Sequence, residues 1–287
     1  MTWFDYVNYG ALMLFSLSVL YPVLYLFFLS LSTRQGLVQS DAMLLLWPQG
    51  FTLKAYIFFL QETYIYSGYL YTVGRTVVGT AVGVMLMCLA AYALSRNIPL
   101  RKSITFYFVF TIFFTGGLIP TYLLVKDLGL LNNPLVYVLG PPFLFNTFYM
   151  LILRNFFMTI PESLVESAKM DGASDWRVFF NIMLPLSVPA IVTVCLWVAV
   201  AHWNSWFDSL IYIQDPEKQV IQIHVRKLII EQDASLTNGT EFGKETMPAD
   251  ESMRAAAILI AMIPILCVYP FIQRYFVKGI VLGAVKG

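Results

Sequence analysis

Charge is what this sequence has least of. Only 12% of its 287 residues are Asp, Glu, Lys or Arg, against roughly 25% in an ordinary soluble domain. The 18 basic and 17 acidic residues leave a net charge of +1, so there is no basic excess to hold nucleic acid. Three cysteines in so long a chain exclude a disulfide-stapled secreted fold, and 59% hydrophobic residues exclude intrinsic disorder. His202 and His224 are the two histidines; they lack metal-ligand spacing, and no Cys, His and Asp constellation points to nucleophilic catalysis. No Gly-x-x-x-x-Gly-Lys-Ser/Thr phosphate loop occurs, so the chain lacks that device for binding ATP. No cofactor and no metal are expected on it.

What is present is long uncharged sequence. Six segments, 10–31, 76–95, 103–125, 134–153, 182–207 and 255–273, contain no charged residue, and they run from 19 to 26 residues. About 20 residues of helix cross a ~30 Å hydrocarbon core. In lipid the backbone must satisfy its own hydrogen bonds, so the segments are expected as helices. The expected fold is an all-α membrane protein with six transmembrane helices in a lipid bilayer. Gly79-x-x-x-Gly83 suits a close helix crossing, and Gly140-Pro141-Pro142 marks the fourth segment for a kink or short break. No Lys or Arg precedes the first segment, and no clean small-x-small cleavage site follows it. It is expected as a retained helix, not a signal peptide. Cys88, Cys195 and Cys267 each fall inside a segment, where cysteine acts as a small hydrophobe.

Loop charges set the orientation. Residues 1–9, 96–102, 154–181 and 274–287 carry nine Lys/Arg in 58 residues; the opposite loops, 32–75, 126–133 and 208–254, carry nine in 99. The denser side, with Arg96, Arg101, Lys102, Arg274, Lys278 and Lys286, is expected in the cytoplasm together with both termini.

The cytoplasmic stretch 154–181 reads as two short helices meeting at a turn. Thr159-Ile160-Pro161-Glu162 has the spacing of a capping box, with Pro161 in a first helical turn. Ile160, Leu164, Val165 and Ala168 form an apolar stripe, with Glu162, Glu166 and Lys169 away from it. Asp171-Gly172 is expected to stop this helix, since glycine adopts positive φ at little cost. Ser174 is placed to cap a second helix whose Trp176, Phe179, Phe180 and Met183 share a face, and Leu184-Pro185 ends it at the membrane. Pattern alone leaves two uses open: helices lying on the lipid interface, or helices docking a partner.

The run Glu166-Ser167-Ala168-Lys169-Met170-Asp171-Gly172-Ala173, then eight residues, then Ile182-Met183-Leu184-Pro185 resembles the EAA loop of permease subunits of binding-protein-dependent ABC importers. The family pattern is Glu-Ala-Ala-x-x-x-Gly, nine residues, Ile-x-Leu-Pro, and the chain departs from it only in Ser167. The resemblance runs from about residue 71 to the C-terminus. It implies that this loop, 154–185, is the coupling helix that sits in a groove of a separate ATPase. Glu166, Ala168, Asp171, Gly172, Ala173, Trp176, Leu184 and Pro185 would then carry the ATPase coupling, with Glu166 pairing to a basic residue there. It further implies a second, similar permease subunit, two cytoplasmic ATPase subunits that bind the ATP and Mg, an extracytoplasmic solute-binding protein and a multi-pass place in a bacterial cell membrane.

Two finer likenesses follow. Tyr269-Pro270 through Gly279, ending in Val285-Lys286-Gly287, resembles the tails of maltose-type carbohydrate permeases. There such a tail reaches the ATPases, which gives Lys278 and Lys286 that role; a basic anchor to anionic lipid is the equal alternative. Phe114-Thr115-Gly116-Gly117-Leu118-Ile119-Pro120-Thr121-Tyr122 and Trp203-Asn204-Ser205-Trp206-Phe207-Asp208 resemble the branch handling complex oligosaccharides such as pectin- and alginate-derived chains. The long outer loop 208–254, with its turn-rich tip 236–243, is expected to face the binding protein and help discharge an oligosaccharide.

Trp203, Asn204, Trp206 and Asp208, with Asn146 and Tyr149, have the aromatic faces and hydrogen-bonding groups that suit sugar contact along a substrate pathway. Interfacial Trp and helix packing explain the aromatics equally well. The expected organisation is 1–70 as the first transmembrane helix and outer loop, 71–276 as the importer core of five helices, and 277–287 as a cytoplasmic tail. Two other classes compete. A membrane-embedded enzyme would have Asp208 with His202 as its nearest catalytic pair. A secondary transporter would need ionisable residues inside the spans and a duplicated half, and neither is visible in the sequence.

Overall fold

The computed structural model describes residues 3–39, 45–141, 143–237 and 251–267. Apart from one isolated antiparallel bridge between Ser32 and Phe51, helix is the regular structure among the described residues. In chain order the helices are α1 (Trp3–Ser30), α2 (Arg34–Gln39), α3 (Lys54–Gln61), α4 (Thr63–Ser95), α5 (Arg101–Phe113), α6 (Leu118–Asp127), α7 (Val136–Leu139), α8 (Thr147–Phe157) and α9 (Glu162–Met170). Then come α10 (Asp175–Val178), which continues through a π-helical turn (Phe179–Met183) into α11 (Leu184–Leu186), α12 (Val188–Asn204), α13 (Phe207–Tyr212), α14 (Ile221–Thr237) and α15 (251–267).

The chain divides into two compact units. The first comprises Met1–Tyr66 and His224–Pro264. Its α1 is apolar on every side and buries only Leu29 and Ser30; Trp3, Phe4, Met13, Leu14 and Phe15 are all widely exposed. A helix hydrophobic all round and left uncovered has hydrocarbon for its solvent. Only its C-terminal end is packed, where Leu29 meets Leu45 and Ala255. There Ser252 Oγ donates to the Ser32 carbonyl at 3.0 Å, and the Ser30 and Tyr56 hydroxyls are hydrogen-bonded at 2.7 Å.

The second unit, built on Ser67–Ile223, has two cores. In one, Met87, Cys88, Ala91 and Tyr92 of α4 pack on Met150, Leu153 and Phe157 of α8, on Val194 and Val198 of α12, and on Val165, Val178, Phe179 and Met183. The second gathers Val125, Val136, Tyr137, Tyr212, Ile213 and Val220. Two small residues allow the close approaches inside this unit. A Cβ on Gly79 would lie 2.5 Å from His202 Cε1, and one on Gly83 would lie 3.2 Å from the Phe143 carbonyl oxygen. The spacing Gly79-x-x-x-Gly83 therefore serves the close packing expected of it.

Six unbroken helices are not what the chain forms. Among the described residues two helices, α1 and α4, are each long and apolar enough to cross a membrane; α5 with α6, bent by 113°, and 175–186 with α12, bent by 81°, make four if each bent pair is one span. The third uncharged segment breaks at 114–117, where Gly117 takes φ +84°. The fourth splits into α7 and α8 on either side of Gly140 and Pro141, and the fifth starts its straight helix only at Val188. Absence of charge reports tolerance of lipid and is blind to helix continuity. The second segment errs the other way: α4 starts at Thr63 and so carries Arg75 within it. The sixth, 255–273, passes beyond the described residues after 267.

Gly74, on the same helix as Gly79, has nothing within 4 Å of an added Cβ. Gly79→Ala is expected to lower unfolding free energy in detergent by about 1–3 kcal/mol through overpacking, and Gly74→Ala to leave it unchanged or slightly raised. Equal thermal melting shifts for the two variants would contradict the packing assigned to Gly79.

Candidate functional site

The second unit holds a buried ion pair beside a cavity. Arg75 of α4, its side chain fully buried, meets Asp208 of α13 with Nη2 2.7 Å from Oδ2. Its Nη1 donates to Oδ1 at 3.2 Å, completing a two-pronged contact of the kind the planar guanidinium favours. Ser205 Oγ donates to the same Oδ1 at 2.6 Å. The guanidinium carbon lies 4.8 Å from the centroid of Tyr137 and 4.9 Å from that of Phe143, giving the cation two π partners. The Tyr137 hydroxyl donates to the Lys218 carbonyl at 2.9 Å and is hydrogen-bonded to Ser209 at 2.7 Å. One turn before Arg75, Thr72 Oγ1 accepts from Ile221 N at 3.0 Å. His202 is fully buried against the Phe143 ring at 4.7 Å, and neither imidazole nitrogen has a hydrogen-bond partner among the described residues.

The cavity, of about 490 Å³, is lined by Thr115, Gly117, Phe143, Ser205, Asp208 and Tyr212 among others. That is a volume suited to a small ligand. The break between α5 and α6 forms one wall and the α12–α13 junction another. Asp208 is the one charged residue of the lining. Beyond α13, Asp215 accepts from Glu217 N at 3.1 Å and pairs with Lys218 at 3.0 Å; the Lys218 contact, then that backbone bond, hold its carboxyl below the ordinary value. Among the described residues no group of three or more His, Cys, Asp or Glu could hold a metal ion.

The second candidate feature is the knob from α9 to α11. α9 ends as a Schellman turn: Ala173 N donates to the Ala168 carbonyl at 2.9 Å and Gly172 N to the Lys169 carbonyl at 3.0 Å, with Gly172 at φ +77°. Ser174 then accepts from Arg177 N and caps α10, as its sequence position implies. The expected capping box does not form. Pro161 is the N-cap of α9, and the Thr159 hydroxyl donates back to the Phe156 carbonyl at 2.8 Å. Proline in the cap pins the chain without a side-chain bond, which leaves Thr159 to its own preceding turn. The second helix also differs from expectation. Phe179 and Met183 are buried in the core, while Trp176 and Phe180 stack on each other at 6.1 Å and stay exposed. Glu166, Met170, Asp171 and Pro185 are exposed, Leu184, Ala168 and Ala173 half-buried. Arg96 Nη2 lies 3.0 Å from Met183 Sδ, and Arg154 Nε donates to the Leu94 carbonyl at 2.9 Å, tying the end of α4 to this region.

The model of the family described as "Binding-protein-dependent transport system inner membrane component" matches residues 2–282. The chain belongs to that family. It is an inner-membrane transport component by descent, and the match takes in the first 70 residues as well as the region carrying the loop motif. Among its relatives, the polygalacturonan/rhamnogalacturonan transport system permease protein YtcP of Bacillus subtilis is 41% identical over 99% of this chain and 98% of its own. Protein LplC of the same organism is 39% identical over 93% and 89%. Among solved structures, that of a bacterial ABC transporter importing the acidic polysaccharide alginate contains a chain 32% identical, with TM-score 0.83, covering 95% of this chain and 96% of that one.

Within this family member, the six residues picked out for a substrate pathway separate. Asp208 lines the cavity, but its carboxylate is held by Arg75 and Ser205, so it is not free to act with His202 as a catalytic pair. Trp203 is buried beside Tyr69, Asn204 is exposed at the end of α12, and Trp206 is half-buried edge-on to Phe207. Asn146 caps α8, accepting from Phe148 N and Tyr149 N, and Tyr149 stacks on Trp197 at 5.8 Å. Lys278 and Lys286 lie outside the described residues. Sequence reasoning missed Arg75, Tyr137 and Phe143. Arg75 abuts an uncharged run and looked like its flank, and its partner stands 133 positions away.

Arg75→Met, which strands Asp208 as a buried unpaired charge, is expected to cost about 3–5 kcal/mol of stability. The double variant Arg75→Met/Asp208→Leu should recover most of it. Thermal unfolding of the purified complex measures both; no recovery in the double variant would contradict the pairing.

Proposed function

We propose that the chain is the transmembrane subunit of an ATP-driven importer for acidic oligosaccharides, forming half of the pathway with a second, similar permease. Two cytoplasmic ATPases bind the ATP and Mg, an extracytoplasmic binding protein delivers the sugar, and this chain holds no cofactor and does no chemistry. The chain crosses a bacterial cell membrane six times with both termini in the cytoplasm; the bent pairs α5–α6 and 175–186 with α12 each count as one crossing, α7–α8 as another, and α15 as the last.

The observation that carries the proposal is the two-sided knob. Its inner face, Val165, Phe179 and Met183, shares a core with α4, α8 and α12. Its outer face offers Glu166, Trp176 and Phe180 to a partner. A rigid, core-anchored projection transmits closure of an ATPase pair as rigid-body motion, which a floppy loop would dissipate. The sugar class is supported by relatives named for polygalacturonan and alginate transport. It is supported also by the meeting of the 114–122 and 203–208 motifs at one cavity. The tail with Lys278 and Lys286 reaches the ATPases in this proposal, and loop 208–254 meets the binding protein.

Glu166→Arg and Gly172→Pro are expected to lower co-purification of the ATPase and oligogalacturonate uptake at least tenfold. Deleting 236–248 should leave ATPase assembly intact and impair delivery from the binding protein. Full assembly and uptake in both point variants would reject the coupling role, and unchanged uptake in the deletion would reject the outer-loop role.

A further inference from the structure

We propose that Arg75 is a specificity-determining residue: it neutralises the cavity's one carboxylate so that an anionic sugar can lie against it. The inference rests on the acidic-oligosaccharide reading above and goes beyond it by assigning the device that admits the charge. Among the described residues, Asp208 is the only charged one lining the cavity, and no Lys or Arg lines it. An unscreened carboxylate there would repel a uronate, since like charges a few ångströms apart raise each other's energy. Arg75 stands behind the wall with its side chain fully buried, so it meets Asp208 without itself reaching the lumen. Both carboxylate oxygens are engaged from behind: Oδ2 by Nη2, and Oδ1 by Nη1 and Ser205 Oγ. What faces the cavity is then the field of a paired dipole, which falls off faster than that of a charge.

The energetics point the same way. A buried ion pair seldom stabilises more than apolar residues of the same shape, so packing alone gives no reason to place one in a chain this poor in charge. An anionic sugar does give one: it tolerates no net negative wall against its carboxylates.

The test uses the whole importer with its binding protein in proteoliposomes. Uptake kcat/KM is measured for trigalacturonate and for its neutral methyl ester, and the acid-to-ester ratio is the readout. Arg75→Gln is expected to lower that ratio roughly tenfold or more. Thr115→Asp, which adds an unpartnered carboxylate to the exposed lining while leaving the pair intact, should lower it similarly. Asp208→Asn, near-isosteric and still able to accept from Ser205 and Arg75, should raise it, and Arg75→Gln/Asp208→Asn should return it towards wild type. A merely structural role for the pair would reduce uptake of both sugars together and leave the ratio unmoved. Wild-type import of trigalacturonate with an unchanged ratio in Thr115→Asp and Asp208→Asn overturns this inference alone. A wild-type importer that takes up neither sugar contradicts the acidic-oligosaccharide reading, and the inference falls with it.

Discussion

The buried pair of Arg75 and Asp208 constrains everything around it. Two charges withdrawn from water demand compensation, and the second unit supplies much of it with a two-pronged ion pair, the Ser205 hydroxyl, and the rings of Tyr137 and Phe143. Meeting those demands fixes several elements at once. α4 must present Arg75 to the start of α13, the chain must turn at Ser205, and Tyr137 of α7 and Phe143 of the α7–α8 break must both approach the guanidinium. The same turn and the same break shape the cavity. Gly79, one helical turn beyond Arg75, gives His202 room to pack close by.

α4 joins this centre to the knob. From Arg75 to Leu94 it is one uninterrupted helix, about 29 Å long at 1.5 Å per residue. Its far end is held by Arg154 on the Leu94 carbonyl and by Arg96 against Met183. Its middle shares a core with Val165, Phe179 and Met183 of the knob. Helices packed this densely shift as bodies and do not deform smoothly, so the coupling proposed above would deliver a push on the exposed face of α9 and α10 to the element that carries Arg75. The Schellman turn at Gly172 and the Ser174 cap make the junction of α9 and α10 rigid enough for that role.

Local chemistry was legible in the sequence and long-range pairing was not. Gly172 and Ser174 were readable because their roles depend on neighbours within three residues, and Gly79-x-x-x-Gly83 because a close crossing needs two missing side chains on one face. The capping box failed for a local reason as well, since Pro161 displaced Thr159 from the cap. The break near Gly140 was signalled by Gly140-Pro141-Pro142, whereas the one at Gly117 was hidden in a segment whose lack of charge says nothing of helix continuity. The stripe Trp176, Phe179, Phe180, Met183 was correctly apolar, yet periodicity cannot separate the half that enters the chain's own core from the half left uncovered. Arg75 and Asp208 were each visible as a charge beside an apolar run. Their meeting is a property of the fold, made by a contact that spans 133 positions.

Under the proposed coupling, the knob and the cavity wall move as one body. Spin labels at exposed Met170 on α9 and exposed Val78 on α4, in a chain whose three native cysteines are replaced, give the decisive distance by pulsed electron resonance in the reconstituted importer. On ATP binding this distance should stay constant within about 2 Å, as expected for a packed rigid body, while the separation of Val78 from a label on the partner permease changes. A change of many ångströms within the chain, with the two permeases stationary, would show that the knob flexes alone and that α4 carries nothing.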